Sequence, residues 1–309
     1  MAGSTTPTTT TTTRSPFLDV LPPELRLHIY SHLLVASTPL KGQLARQDKE
    51  YDLHTAILRT NKQIHHEARS IFFGRNTFYI TSIPPTRPVN HDPHPDDDEE
   101  EGSGAFEPPL QLRDLPLVRH VEIDLLYYPK SMQTIRDRRT GVWKPVCVGA
   151  QRYSTSLSYL LSAVETSLLS LKLCADTRRY VDESKLCNTS SSTATSSGFG
   201  SSNKEKGDRL ELQRMLTGFY MADANPLFRK ALARLDVANI ALHFDFPESY
   251  FDFVVAKKVL CSQSLVELAG QVLGVRSNIR LEAAKQDSGE GNEVAREGPV
   301  TLIPGVASI

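Results

Sequence analysis

His65, His66 and Glu67 are the first residues whose types suggest chemistry, because imidazole and carboxylate are common ligands of a divalent metal. Adjacent histidines, however, point about 100° apart on a helix. The H-E-x-x-H spacing that would put two imidazoles on one face does not occur in this segment. His91 and His94 border a run of six carboxylates, Asp96 to Glu101, whose mutual repulsion makes a solvated linker the expected state. The four cysteines, Cys147, Cys174, Cys187 and Cys261, contain no C-x-x-C pair, so separate reduced thiols are expected. Serine, histidine and aspartate are abundant, but a catalytic triad is defined by geometry and not by presence. No G-x-S-x-G elbow, P-loop, dinucleotide fingerprint or cysteine–histidine signature appears. The expectation is a protein with no catalytic residues, no cofactor and no metal. Arg136, Arg138 and Arg139, with Lys130 and Lys144, surround Trp143; aromatic residues are not interleaved, and the segment is expected to be a solvated loop. Thr6-Pro7 and Ser15-Pro16 are possible phosphate acceptors close to the first helix.

Charge and composition narrow the class further. Lysine plus arginine number 35 against 36 aspartate plus glutamate, a net charge of -1, so no basic excess draws the 309-residue chain to nucleic acid. No apolar run approaches the roughly 18 residues of a membrane span. The threonine tract Thr8 to Thr13 is no apolar signal region, and Gly3 is one position too late for myristoylation. A cytoplasmic or nuclear protein that binds neither nucleic acid nor membrane is expected.

The elements that would position any site are interrupted by polar stretches. Residues 1–16 are rich in threonine, serine and proline, 83–109 is proline-rich and acidic, about 188–207 is a Ser/Thr/Gly insertion, and 285–309 is a Gly/Glu-rich tail. None of these can bury enough apolar surface to offset ordering entropy. What remains is an N-terminal block, 17–82, and a body, 110–284. In the block, Pro22 and Pro23 suit a helix start, having no amide hydrogen to lose in the first turn. Leu21, Leu25, Ile29 and Leu33 form one apolar stripe, and Leu27, Tyr30 and Leu34 a second. Two stripes exceed the arc of about 100° that an ordinary surface helix buries, so this helix requires two neighbours. They are either both internal, or one internal and one a partner. A second helix is expected from a capping box, Thr60 with Gln63, with Ile64, Ala68, Ile71 and Phe72 as its core face and Gly74 as its stop. Ala56-Ile57-Leu58 is expected to fill the gap between the helices, and Asn76 to Ile80 to form a strand. In the body, alternation predicts strands over 118–125, 169–173 and 237–244, and helical spacing predicts helices over 157–168, 210–221, 227–232 and 250–260. Helix followed by strand, twice, suggests parallel pairing through crossovers.

The stretch Leu21-Pro22-Pro23-Glu24-Leu25-Arg26-Leu27-His28-Ile29-Tyr30 resembles the opening of an F-box, in the fungal form L-P-x-E-[IL]-R-x-x-I-[YW]. Leu58 to Ala68, Phe72 to Phe78 and Leu115-Pro116-Leu117-Val118 are similar to later segments of the same proteins. The resemblance covers about a third of the chain. It departs from the family in lacking a late tryptophan and in a long, polar segment from Ser37 to Asp52. It implies an α+β protein, with a small helical F-box-like head and an irregular, degenerate leucine-rich-like α/β body. It also implies a non-catalytic substrate-recognition subunit of a Skp–cullin–F-box ubiquitin ligase, with an unknown protein substrate. The adaptor-facing residues carried over are Leu21, Pro22, Leu25, Ile29 and Leu33. A related fungal class carries paired E-x-R tripeptides, present here as Glu24-Leu25-Arg26 and Glu67-Ala68-Arg69. It implies an alternative, a scaffold or regulatory protein independent of the adaptor.

Overall fold

The structure, a computed structural model, describes residues 15–43, 45–46, 50–83, 104–127, 133–136, 143–176, 216–246 and 249–271. The insertion at about 188–207, the acidic run and the tail from 285 lie outside the described residues, as do Lys130, Arg138 and Arg139.

The chain is mixed helix and sheet. Helices α1 (Pro16–Val20) and α2 (Pro23–Leu34) are followed by β1 (Leu40–Lys41), a 3-10 turn (Thr55–Arg59), α3 (Lys62–Arg75) and β2 (Thr77–Ser82). β3 (Phe106–Glu107) and β4 (His120–Asp124) precede a ribbon of β5 (Gln133–Arg136) and β6 (Trp143–Val146). Then come α4 (Val148–Ala163), β7 (Ser170–Asp176), α5 (216–224) and α6 (Pro226–Arg234). β8 (Asn239–Phe246), β9 (Ser249–Ala256), α7 (Lys257–Ser262) and α8 (265–271) complete the described chain.

One sheet organises these elements, in the order β1-β2-β4-β7-β8-β9, with β3 attached to β2. The strands β1, β2, β4, β7 and β8 are parallel neighbours in chain order, and β9 closes the far edge antiparallel to β8. Because side chains alternate along a strand, register stacks one row per residue pair. Phe78, Val121, Leu171, Ile240 and Val255 form one buried row, and Ile80, Ile123, Leu173 and Leu242 the next. Tyr153, Leu157 and Leu161 of α4 and Phe228 and Leu232 of α6 belong to the same core. Asn225 sets the junction between α5 and α6. Its Oδ1 accepts from the Leu227 and Phe228 amides as the N-cap, and its Nδ2 donates to Ser154 Oγ and Thr155 Oγ1 of α4.

Several sequence expectations change. Residues 250–260 were expected to be helical, but 249–256 is strand β9 and only 257–262 is helix. Tyr250, Phe251, Phe253, Val254 and Val255 are aromatic or β-branched, and β8 offers a free edge for them to pair with. The cap of α3 is Asn61, whose side chain accepts from the Gln63 amide, while Thr60 Oγ donates backward to the Ile57 carbonyl. Gly74 lies inside α3, which runs one residue further. Residues 143–146, and 136 within the basic patch, belong to the β5–β6 ribbon rather than to a loop. Strand β2, placed at the end of the N-terminal block, lies between β1 and β4 in the body's sheet. Part of the expected linker is ordered too. Glu107 of β3 is buried and accepts from the Ala45 amide at 3.0 Å.

Candidate docking surface

The helix expected to carry the site, α2, buries Arg26, Tyr30 and Leu34, spaced one turn apart. Tyr30 and Leu34 pack with Ile64 and Ala68 of α3, and Phe17, Leu33, Ile57 and Leu58 surround them. The second stripe is therefore internal, with Arg26 in the position that spacing assigned to Leu27, which remains exposed.

A buried arginine needs its donors matched, and here four contacts occupy four of its five N–H groups. Arg26 Nε and Nη2 donate to Glu67 Oε2 and Oε1 at 3.0 and 2.8 Å, a bidentate pair across the two helices. Its Nη1 donates to the Leu18 and Leu21 carbonyls, at 3.2 and 2.7 Å, capping the end of α1 and fixing the turn into α2. Tyr30 Oη and Gln63 Nε2 complete the shell of Glu67 at 3.1 and 3.0 Å. Donation from Arg26, and then from Gln63 and Tyr30, holds the Glu67 carboxyl down at about 2 against the opposing effect of burial. Burial, followed by the hydrogen bond to Glu67, pushes the Tyr30 phenol up to about 12. The arginine of the first E-x-R tripeptide thus pairs with the glutamate of the second. The second arginine, Arg69, continues the chain of contacts, donating through Nε to Asp114 at 2.6 Å just before the turn at 115–117.

At the far end of α2, Asn76 performs the same task with a neutral side chain. It is almost wholly buried, its Nδ2 donates to the Leu34 and Phe72 carbonyls at 2.6 and 2.8 Å, and its Oδ1 accepts from the Ala36 amide at 2.8 Å. The ends of α2 and α3 and the start of β2 are joined at that one residue.

With one face of α2 clamped at both ends, the other is presented outward. Leu25 is 52% exposed and Pro22 is exposed, whereas Leu21 and Ile29 are half-buried. Leu33 is half-buried against the head cluster. Of the five expected residues, Pro22 and Leu25 are therefore open, and Leu21, Ile29 and Leu33 partly covered. Val20, at the end of α1, is 76% exposed. Spacing alone did not reveal Arg26, Glu67 or Asn76 as the residues that orient this face. The one available signal was an arginine and a glutamate each lying on an apolar helix face, where a lone charge is costly.

A second polar cluster lies on the sheet face opposite α4. Glu122, Lys172, Cys174, His243 and Asp252 alternate with the core rows, Asp252 pairing with both His243 and Lys172. Burial, then the Glu122 charge, pushes the Cys174 thiol well above its ordinary value, the direction opposite to that of an activated thiolate. Tyr79 is buried beneath the Lys41 ammonium, which stands 4.5 Å from its ring centroid. Among the described residues no group of three or more His, Cys, Asp or Glu could hold a metal, and no helix is long and apolar enough to cross a membrane.

No protein-family model, no curated protein and no solved structure matches this chain.

Proposed function

We propose that the chain is a non-catalytic substrate-recognition subunit of a Skp–cullin–F-box type ubiquitin ligase. Its F-box-like head docks the adaptor through Leu21, Pro22, Leu25, Ile29 and Leu33, and a leucine-rich-like body takes a protein substrate. The observation that carries this reading is the exposure of Leu25, at 52%, on a helix whose opposite face is clamped by Arg26 and Asn76. An apolar side chain held in water on a rigid helix suits a partner groove. Chain-ordered parallel strands support the account of the body.

The test is capture of a purified ligase adaptor by the full chain and by a Leu25→Glu variant, with circular dichroism as the control for folding. Retention by the parent and loss by a folded variant is the expected result. Failure of the parent to retain the adaptor would overturn the proposal. A second reading, an adaptor-independent scaffold of the paired E-x-R type, draws on a different observation. The two tripeptides are joined by the Arg26–Glu67 pair, so their recurrence has an internal structural reason. A parent that captures no adaptor favours that scaffold.

A further inference from the structure

One feature of α2 is used neither by the clamp nor by the apolar stripe. His28 and His32, four residues apart and both exposed, turn their rings toward each other, with centroids 4.7 Å apart and planes at 88°. Their Nε2 atoms are 3.2 Å apart. Two imidazole nitrogens bound to one metal at about 2.0–2.1 Å lie about 2.8–3.4 Å from each other, over coordination angles from a right angle to tetrahedral. The apo side chains already hold that separation. Histidines at i and i+4 share one helix face, which is the arrangement that lets a helix chelate zinc.

We propose that His28 and His32 form a two-histidine site for a divalent late first-row transition metal ion, zinc, nickel or copper. Imidazole suits these ions, and copper binds most tightly in the general order of affinities. Without metal, one Nε2–H donates to the other Nε2. On binding, the donor ring carries its proton on Nδ1, so both Nε2 lone pairs reach the ion. No third His, Cys, Asp or Glu among the described residues joins the pair, so water fills the remaining coordination positions in the free chain. Those positions open on the same side of α2 as exposed Leu25. An occupied site thus sets a dication beside the apolar stripe. The proposal does not depend on what docks there.

The experiment uses the full chain stripped with a chelator and titrated with copper(II), read by calorimetry and by electron paramagnetic resonance. The parent is expected to bind one ion with two nitrogen ligands. His28→Ala and His32→Ala, at exposed positions, are each expected to weaken this by about tenfold or more, since each loses the second donor's effective concentration. His66→Ala, on α3, is expected to match the parent. Unchanged binding in the double variant His28→Ala, His32→Ala would overturn the proposal, as would loss of the two-nitrogen signal in His66→Ala.

Discussion

Replacing Asn76 with alanine removes three hydrogen bonds at one point and replaces none of them. The Leu34 and Phe72 carbonyls lose their donor and the Ala36 amide loses its acceptor, at a residue only 1% exposed. At about 1 kcal/mol net for each bond, the loss is about 3 kcal/mol, and groups left buried without partners raise it toward about 5 kcal/mol. For a folded unit of this size, about 3 kcal/mol corresponds to a melting point lowered by about 6–12 °C. Urea unfolding followed by circular dichroism measures the difference, and the slope with denaturant shows whether the transition keeps its two-state character. Asn76→Asp sharpens the experiment. It retains an acceptor for Ala36 but sets a carboxylate oxygen against two carbonyls, so it is expected to be no more stable than the alanine variant. A loss below about 0.5 kcal/mol for alanine would refute the reasoning, because surface substitutions reach that much. An aspartate variant clearly more stable than alanine would refute the assignment of the amide nitrogen to the two carbonyls.

Three further outcomes follow from other contacts. Glu67 has its carboxyl held at about 2, below its ordinary 4.5, so its contribution to stability is present above pH 4.5 and is lost as pH falls toward 2. Tyr30, raised from 10.0 to about 12, contributes stability that is present below pH 10 and lost as pH rises through 12. Unfolding free energy measured across pH is expected to fall at both ends, and Glu67→Gln to flatten the acid limb. A methyl added at Gly218 of α5 would overlap the carbonyl oxygen of Leu125, so Gly218→Ala is expected to cost about 1–3 kcal/mol in the same urea assay; a neutral result would refute that close approach. Of the three described cysteines, Cys147 and Cys174 are buried and Cys261 is partly exposed. Among these three, mass-mapped labelling of the native protein should modify Cys261 first, with Cys174 reacting only on unfolding.

Much of the architecture could be read from local pattern. Alternation located β4, β7 and β8 to within a few residues, and the repeated helix-then-strand order anticipated the parallel pairing of β7 with β8. Pro22 and Pro23 located the start of α2 because proline's missing amide is harmless in a first turn. The same method failed at 250–260, where aromatic and β-branched residues also fitted a helical spacing. What decided that segment was the unpaired edge of β8, which exists only once the sheet has assembled. The start of α4, nine residues before the expected one, was missed for a similar reason. Ala150 and Tyr153 continue the spacing of Leu157, Leu160 and Leu161, but among Gly149, Gln151, Arg152 and four hydroxyl residues that face is weakly marked, and the sheet buries it.

The apolar stripes of α2, the paired tripeptides and the punctuation of the helices were properties of the amino-acid order, since each depends on residues within a few turns of one another. Which stripe faces inward was settled 41 residues away, by the partner that Glu67 offers to Arg26. Its exposed histidines converge because the helix brings i and i+4 together, but they remain in water only because α3 occupies the opposite face. Charge pairing and burial are energies between distant parts of the chain, so tertiary contact alone determined that Arg26 is buried and Leu25 exposed.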